Sequence, residues 1–242
     1  MKLNIKEDTE LIINEKNISI NTKINTNSKI ILLEPKNIQI NLSPNSKLSL
    51  YTYFKNSKVT KHVKLNKNSE LKCYDLIINS SLESDIHLNG TNASFMNKSL
   101  SKSTKDATLI TIVNHNSKET ISTILNKNLI GKDSFVKCNG KIIIPQKSIN
   151  CKSNLKSESL LLDETSKCDA TPILEIFNDQ VSCSHSATIS YINQEKLYYL
   201  NSRGLNEKKA TELLLEAFAQ TILLEMPEVI IKKEVLKWIF QY

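Results

Sequence analysis

Arginine occurs once in this chain, at position 203, and glycine only four times in 242 residues. Lysine and arginine together outnumber aspartate and glutamate by 32 to 25, giving a net charge of +7. The lysines are spread among Asn, Ile and Ser with no arginine-rich block, so the charge is a matter of composition, and neither nucleic acid nor membrane is expected as a partner. No run approaches the ~18 apolar residues that a membrane span needs. The opening MKLNIKEDTELIINEK carries acids and no small-residue cleavage site, so it does not read as a signal peptide. The five cysteines are odd in number and include no Cys-x-x-Cys pair, which argues against a disulfide framework or a zinc knuckle and for a reducing, cytoplasmic location. No phosphate-binding loop of the GxxxxGK[ST] type occurs, so nucleotide chemistry would belong to another protein.

What the chain does have is short runs of alternating apolar and polar residues from residue 1 to about 190. Examples are Ile30–Leu33, Ile38–Leu42, Leu48–Tyr53 and Leu71–Leu76, each bounded by Asn, Ser and Lys. With glycine scarce, asparagine and serine must make the turns, because their side chains bond to nearby backbone and asparagine tolerates the left-handed region. Asn27-Ser28, Asn45-Ser46, Asn68-Ser69 and Asn116-Ser117 open successive runs, a weak repeat of about 20–25 residues that fits a β-solenoid. A sandwich fits the repeat about as well. After Gly204 the period becomes helical: Asn206 suits an N-cap, and Ala210, Leu213, Leu214, Ala217, Phe218 and Ile222 form one apolar stripe. Pro227 ends that helix or starts a second one, which runs through Trp238 and Phe240. The division expected is a β body over 1–204 and a helical hairpin over 205–242.

One stretch concentrates the chemistry. Pro172–Gly204 contains Cys183-Ser184-His185, and two residues apart on an extended strand the thiol and imidazole share a face. Read without further context, these are a buried thiol and a hydrogen-bonded imidazole. Glu175 and Asp179 have no nucleophile near them in sequence and read as solvated carboxylates, and Cys73, Cys138, Cys151 and Cys168 read as structural.

Three ordered motifs carry a resemblance: Pro172-Ile173-Leu174-Glu175-Ile176, Cys183-Ser184-His185-x-Ala187-Thr188, and Tyr199-Leu200-x-Ser202-Arg203-Gly204-Leu205. Over about residues 110–225 the chain resembles the SufB/SufD family of scaffold subunits of the SUF iron–sulfur cluster assembly machinery. Its SufD branch matches better: SufB members have a cysteine and a glutamate where this chain has Ser157 and Ser186. The resemblance implies an all-β fold, a parallel β-helix core with a C-terminal helical hairpin, and a non-catalytic role. It implies pairing with a SufB-type subunit along an edge containing Val181, Cys183, His185, Ala187 and Ile189. His185 and Cys183 would then be metal ligands for a transient iron–sulfur cluster or iron at the heterodimer interface, with nothing tightly bound by this chain alone. It also implies a SufC-type ABC ATPase docked on the helices, for which Phe218, Ile222, Trp238 and Phe240 are the candidate contacts. In two respects the chain departs from the SufD pattern: no helical domain precedes the strands, and Ser186 replaces the usual glycine. A SufB-like paralogue remains an alternative. A β-helix polysaccharide enzyme is disfavoured by the lone arginine and the lack of an Asp cluster.

Overall fold

Buried and exposed residues alternate with period two along strand after strand, as in Asn37–Leu42 and Lys47–Lys55, so each strand turns one face inward. The computed structural model describes residues 1–231 together with Leu236, Ile239 and Phe240. In chain order the strands are β1 (Lys2–Ile5), β2 (Glu10–Ile13), β3 (Asn17–Thr22), β4 (Asn27–Leu33), β5 (Asn37–Leu42), β6 (Lys47–Lys55), β7 (Lys58–Leu65), β8 (Glu70–Ile78) and β9 (Ser81–Leu88). They continue as β10 (Ser94–Ser103), β11 (Ala107–His115), β12 (Ile121–Ile130), β13 (Phe135–Ile144), β14 (Cys151–Leu161), β15 (Lys167–Asp169), β16 (Ile173–Ile176) and β17 (Val181–Tyr191). Helices α1 (Gln194–Ser202) and α2 (Glu207–Leu223) follow.

Every pairing is parallel. The even strands up to β14, with β17, form an eight-stranded sheet, and the odd strands up to β15, with β16 beside β13, form a nine-stranded one. The chain therefore winds as a parallel β-helix, one strand per sheet per coil, which settles the choice between solenoid and sandwich. The coil is not of constant length: Asn17 and Asn37, in neighbouring coils, are 20 residues apart, whereas Ser122 and Ser153 are 31 apart. A drifting period of this kind is why the Asn-Ser echo is weak in the sequence.

Asparagine does the turning. Among ten non-glycine residues with positive φ, seven are asparagines, including Asn45, Asn68 and Asn92 at equivalent corners. These three stack as a ladder, Asn68 Nδ2 donating to Asn45 Oδ1 at 2.9 Å and Asn92 Nδ2 to Asn68 Oδ1 at 3.2 Å. The hydroxyl residue that follows such a corner points inward and closes the turn: Ser69 Oγ donates to the Asn66 carbonyl at 2.7 Å, and Thr26 Oγ1 to that of Lys23 at 3.0 Å. Asn45-Ser46 and Asn68-Ser69 of the sequence echo are such corners. Asn27-Ser28 lies instead at the start of β4, two residues past the Asn25 corner.

Two apolar clusters hold the molecule. One fills the solenoid, from Ile5 and Ile20 through Phe54 and Phe95 to Leu155. It encloses a charged group: Lys61 Nζ reaches both Asp75 oxygens at 2.7 and 2.9 Å, and Asn97 Nδ2 and Thr52 Oγ1 also donate to that carboxylate, all fully buried. The second cluster lies on the outer face of the even-strand sheet, where Leu76, Leu100, Leu129 and Leu160 meet Leu215, Ala219 and Ile222 of α2.

The helical tail differs from the sequence expectation in two ways. Helical residues begin at Gln194 rather than after 204, because α1 buries none of its residues and leaves no periodic stripe to read. Arg203 and Gly204 end α1: Gly204, at φ +92°, sends its N–H to the Asn201 carbonyl at 3.0 Å, and Leu205 N–H goes to Leu200 at 3.2 Å. This is a Schellman C-cap, which needs the left-handed residue that glycine supplies without strain. Helix α2 is capped as expected, Asn206 Oδ1 accepting from Lys209 N at 2.9 Å. Its buried residues are Ala210, Thr211, Leu215, Ala219, Ile222 and Leu223, a face that keeps Ala210 and Ile222 of the expected stripe and leaves Leu213 and Ala217 exposed. Three consecutive leucines at 213–215 make the sequence stripe ambiguous, and packing on the sheet selects among them.

Candidate functional site at the open end of the solenoid

β17 is the last strand of its sheet, with β14 on one side and no strand on the other among the described residues. Its register places Cys183 beside Ser153, His185 beside Leu155, Ala187 beside Ser157 and Ile189 beside Ser159. Those β14 residues are buried inward-facing ones, so Val181, Cys183, His185, Ala187 and Ile189 form one inward row on the terminal coil. The row is covered only at its start. Val181 and Cys183 are half-buried against the interior cluster, while His185, Ala187 and Ile189 are exposed, Ile189 at 45%. An inward face without a lid and an edge without a neighbour occur together here.

The five residues expected from the sequence are thus brought to one face and one edge. Burial, followed by the nearby Cys151, pushes the Cys183 thiol up, and a backbone hydrogen bond from Ser153 partly offsets this. Behind it runs a buried polar chain. Cys151 Sγ lies 3.2 Å from Thr120 Oγ1, which is 2.7 Å from His115 Nδ1; His115 Nε2 is 2.9 Å from Ser122 Oγ, itself 2.8 Å from Ser153 Oγ. Burial lowers the His115 pKa to about 4, so this imidazole is neutral and serves as a connector. Ser157 Oγ, buried beside Ala187, has no hydrogen-bond partner among the described residues, which leaves a polar atom next to the terminal coil unsatisfied. Among the described residues no group of three or more His, Cys, Asp or Glu side chains is placed to hold a metal. Cys183 and His185 are two soft-to-borderline donors, and a full coordination sphere needs more.

Sequence reading missed two features. One is the apolar patch around the same end: Phe177 is 63% exposed and Tyr198 76%, with Ile173, Ile176 and Tyr191 also exposed. Its signal was the apolar Ile173, Leu174, Ile176 and Phe177 in one short run, which read as a buried strand and is instead largely exposed. The other is that Cys138 and Cys168 adjoin, which their separation in sequence concealed.

The expected ATPase contacts fare differently. Ile222 is fully buried on the sheet-facing side of α2, so it does not lie at the surface where a partner contact was expected, a correction to that reading. Phe218 and Phe240 are partly buried against the sheet cluster, Phe218 with Lys127 Nζ 4.7 Å from its ring centre. Trp238 lies outside the described residues. Leu213 and Leu224 are exposed large apolar residues among those described in this region.

A separate groove of about 440 Å³ lies on the outer face of the odd-strand sheet, with His62, Lys64, Asp85 and His87 in its lining. It has one carboxylate, held by His87 at 3.0 Å, and lacks the paired acids that glycoside hydrolysis uses. No helix among the described residues is long and apolar enough to cross a membrane.

Residues 6–218 match the family model described as SUF system FeS cluster assembly, SufBD core domain. The chain is 35% identical over 113 residues to an iron-sulfur cluster assembly SufBD family protein of Staphylococcus aureus strain USA300, and 34% identical over 113 residues to one of Staphylococcus saprophyticus. In each case the match covers 47% of this chain and 24% of the relative. With most of its length matched by that model and its strands wound as a parallel β-helix, the chain belongs to the SufBD core-domain family of the SUF iron–sulfur cluster assembly system.

Proposed function

We propose that this chain is a SufD-type, non-catalytic scaffold subunit working in the cytoplasm, which pairs with a SufB-type subunit through the free edge of β17. The observation that carries this reading is the coincidence of an unpaired strand edge with the uncovered inward row His185, Ala187 and Ile189. Unpaired edges invite another chain and are ordinarily blunted or covered. A partner strand would satisfy the edge and place a lid over the row. Cys183 and His185 then face that partner as two ligands for iron or a nascent iron–sulfur cluster, the cargo of the complex, and the partner completes the sphere. Ser157 and Ser186, where SufB members carry cysteine and glutamate, favour the SufD side of the pair.

The SufC-type ATPase docks on the outer side of the helical tail through exposed Leu213 and Leu224, with α1 and its Gly204 cap linking that tail to β17. Co-expression with a SufB-type subunit and a SufC-type ATPase, followed by capture of this chain, tests the reading. Both should co-purify in stoichiometric amount. A chain that captures neither is not a SUF scaffold subunit.

A further inference from the structure

Cys138 on β13 and Cys168 on β15 lie on neighbouring parallel strands. Val136 pairs with Cys168 and Lys137 with Asp169, so the two cysteines are diagonal neighbours on the inward face. Cys138 is buried, whereas Cys168 is half-exposed at the terminal coil. From the facing sheet, Ser159 Oγ comes within 3.4 Å of Cys168 Sγ. Asn128 Nδ2 donates to that same oxygen at 3.1 Å, which leaves the serine O–H free to donate to a thiolate. A hydrogen bond between the two sulfurs, helped by Ser159, draws the Cys168 pKa down to about 7, while the same bond and then burial push Cys138 up.

Geometry decides what such a pair can do. Diagonal strand neighbours have Cα atoms about 7–8 Å apart, beyond the ~7 Å that a disulfide spans without backbone movement. A cation between two thiolates, at the bond length of about 2.3 Å known for zinc–sulfur bonds, holds the sulfurs about 4.6 Å apart, near the spacing of a sulfur–sulfur hydrogen bond, and needs none of the closure a disulfide does. Two sulfurs and a hydroxyl, with no carboxylate among them, are a soft donor set.

We propose that Cys138 and Cys168 form a two-thiolate site for a soft monovalent cation of the copper(I) class, separate from the Cys183–His185 row on the facing sheet. The cation binds the doubly deprotonated pair, and the thiol protons it displaces leave to solvent.

The test is anaerobic copper(I) titration of the full chain against a chromophoric chelator. Cys168→Ser and Cys138→Ala should each weaken the tightest copper(I) binding at least tenfold. Wild-type affinity in both variants, or a loss confined to Cys183→Ser, overturns the assignment. Alkylation of the unaltered chain gives a second readout that does not depend on any variant folding. Copper(I) should protect the half-exposed Cys168 from iodoacetamide, read by mass spectrometry, and an undiminished alkylation rate at Cys168 refutes the site.

Discussion

Replacing Asp75 with alanine should cost this protein most of its stability, and the reason can be counted at the carboxylate. Lys61 Nζ donates to it at 2.7 and 2.9 Å and Asn97 Nδ2 at 2.7 Å, and Thr52 Oγ1 donates as well. Lys61 is 1% exposed and Asp75 0%, so truncation strands an ammonium with no water to solvate it. Breaking a buried pair from one side costs about 3–5 kcal/mol. Asn97 and Thr52 each lose an acceptor, at about 1–3 kcal/mol apiece unless water enters. Against a typical domain stability of about 5–15 kcal/mol, Asp75→Ala is expected to be largely unfolded or to melt at far lower urea. Lys61→Met with Asp75→Leu removes both charges and should recover the part of the loss that the stranded ammonium causes, leaving the part due to Asn97 and Thr52. Burial pulls Lys61 down, but Asp75, Cys73 and the hydrogen bond outweigh it, so its pKa ends above the ordinary lysine value. The stabilisation from this raised pKa is therefore present below about pH 10.5 and is lost as pH rises through the folded value. Urea denaturation followed by circular dichroism, with the m-value held constant, measures all three proteins. A loss below about 1 kcal/mol for Asp75→Ala, or a double variant no better than the single one, would refute the reasoning.

Two glycine substitutions should fail for different reasons. At Gly90 an added Cβ would stand 1.9 Å from Lys67 N and 2.3 Å from Asn66 C, so Gly90→Ala must move backbone and should cost about 3 kcal/mol or more by urea titration. At Gly204 nothing lies within 4 Å, and the penalty is conformational alone: φ of +92° should make Gly204→Ala about 1–2 kcal/mol less stable, with α1 fraying first in hydrogen exchange. Ile189→Pro, on the exposed end of β17, should leave the circular dichroism spectrum intact and weaken affinity for a SufB-type subunit at least tenfold, about 1.4 kcal/mol. Unchanged affinity in the folded variant would exclude β17 as the pairing edge.

What the sequence made legible was what local rules govern. Alternation placed the strands, asparagine abundance against four glycines foretold left-handed corners, and Asn206 announced its helix. Coil closure was harder to see because each coil differs in length, so that Asn27-Ser28 mimics a corner while sitting in a strand. Helix α1 escaped notice because it buries none of its residues fully, and the face of α2 because three adjacent leucines fit more than one stripe. The Cys183–His185 pair was visible from spacing. The Lys61–Asp75 group and the Cys138–Cys168 pair were not, since each joins strands that only the winding brings together.

The central claim is that the open end of the solenoid, with His185 in its uncovered row, is where cargo is built. His185→Ala tests it most directly. The side chain is exposed and supports no buried contact, so the variant should fold and pair with its SufB-type partner as the unaltered chain does. Anaerobic reconstitution of the complex, followed by iron and sulfide content and visible absorbance, should show cluster formation reduced severalfold. Clusters formed at the unaltered rate and yield by a complex carrying His185→Ala would contradict the account.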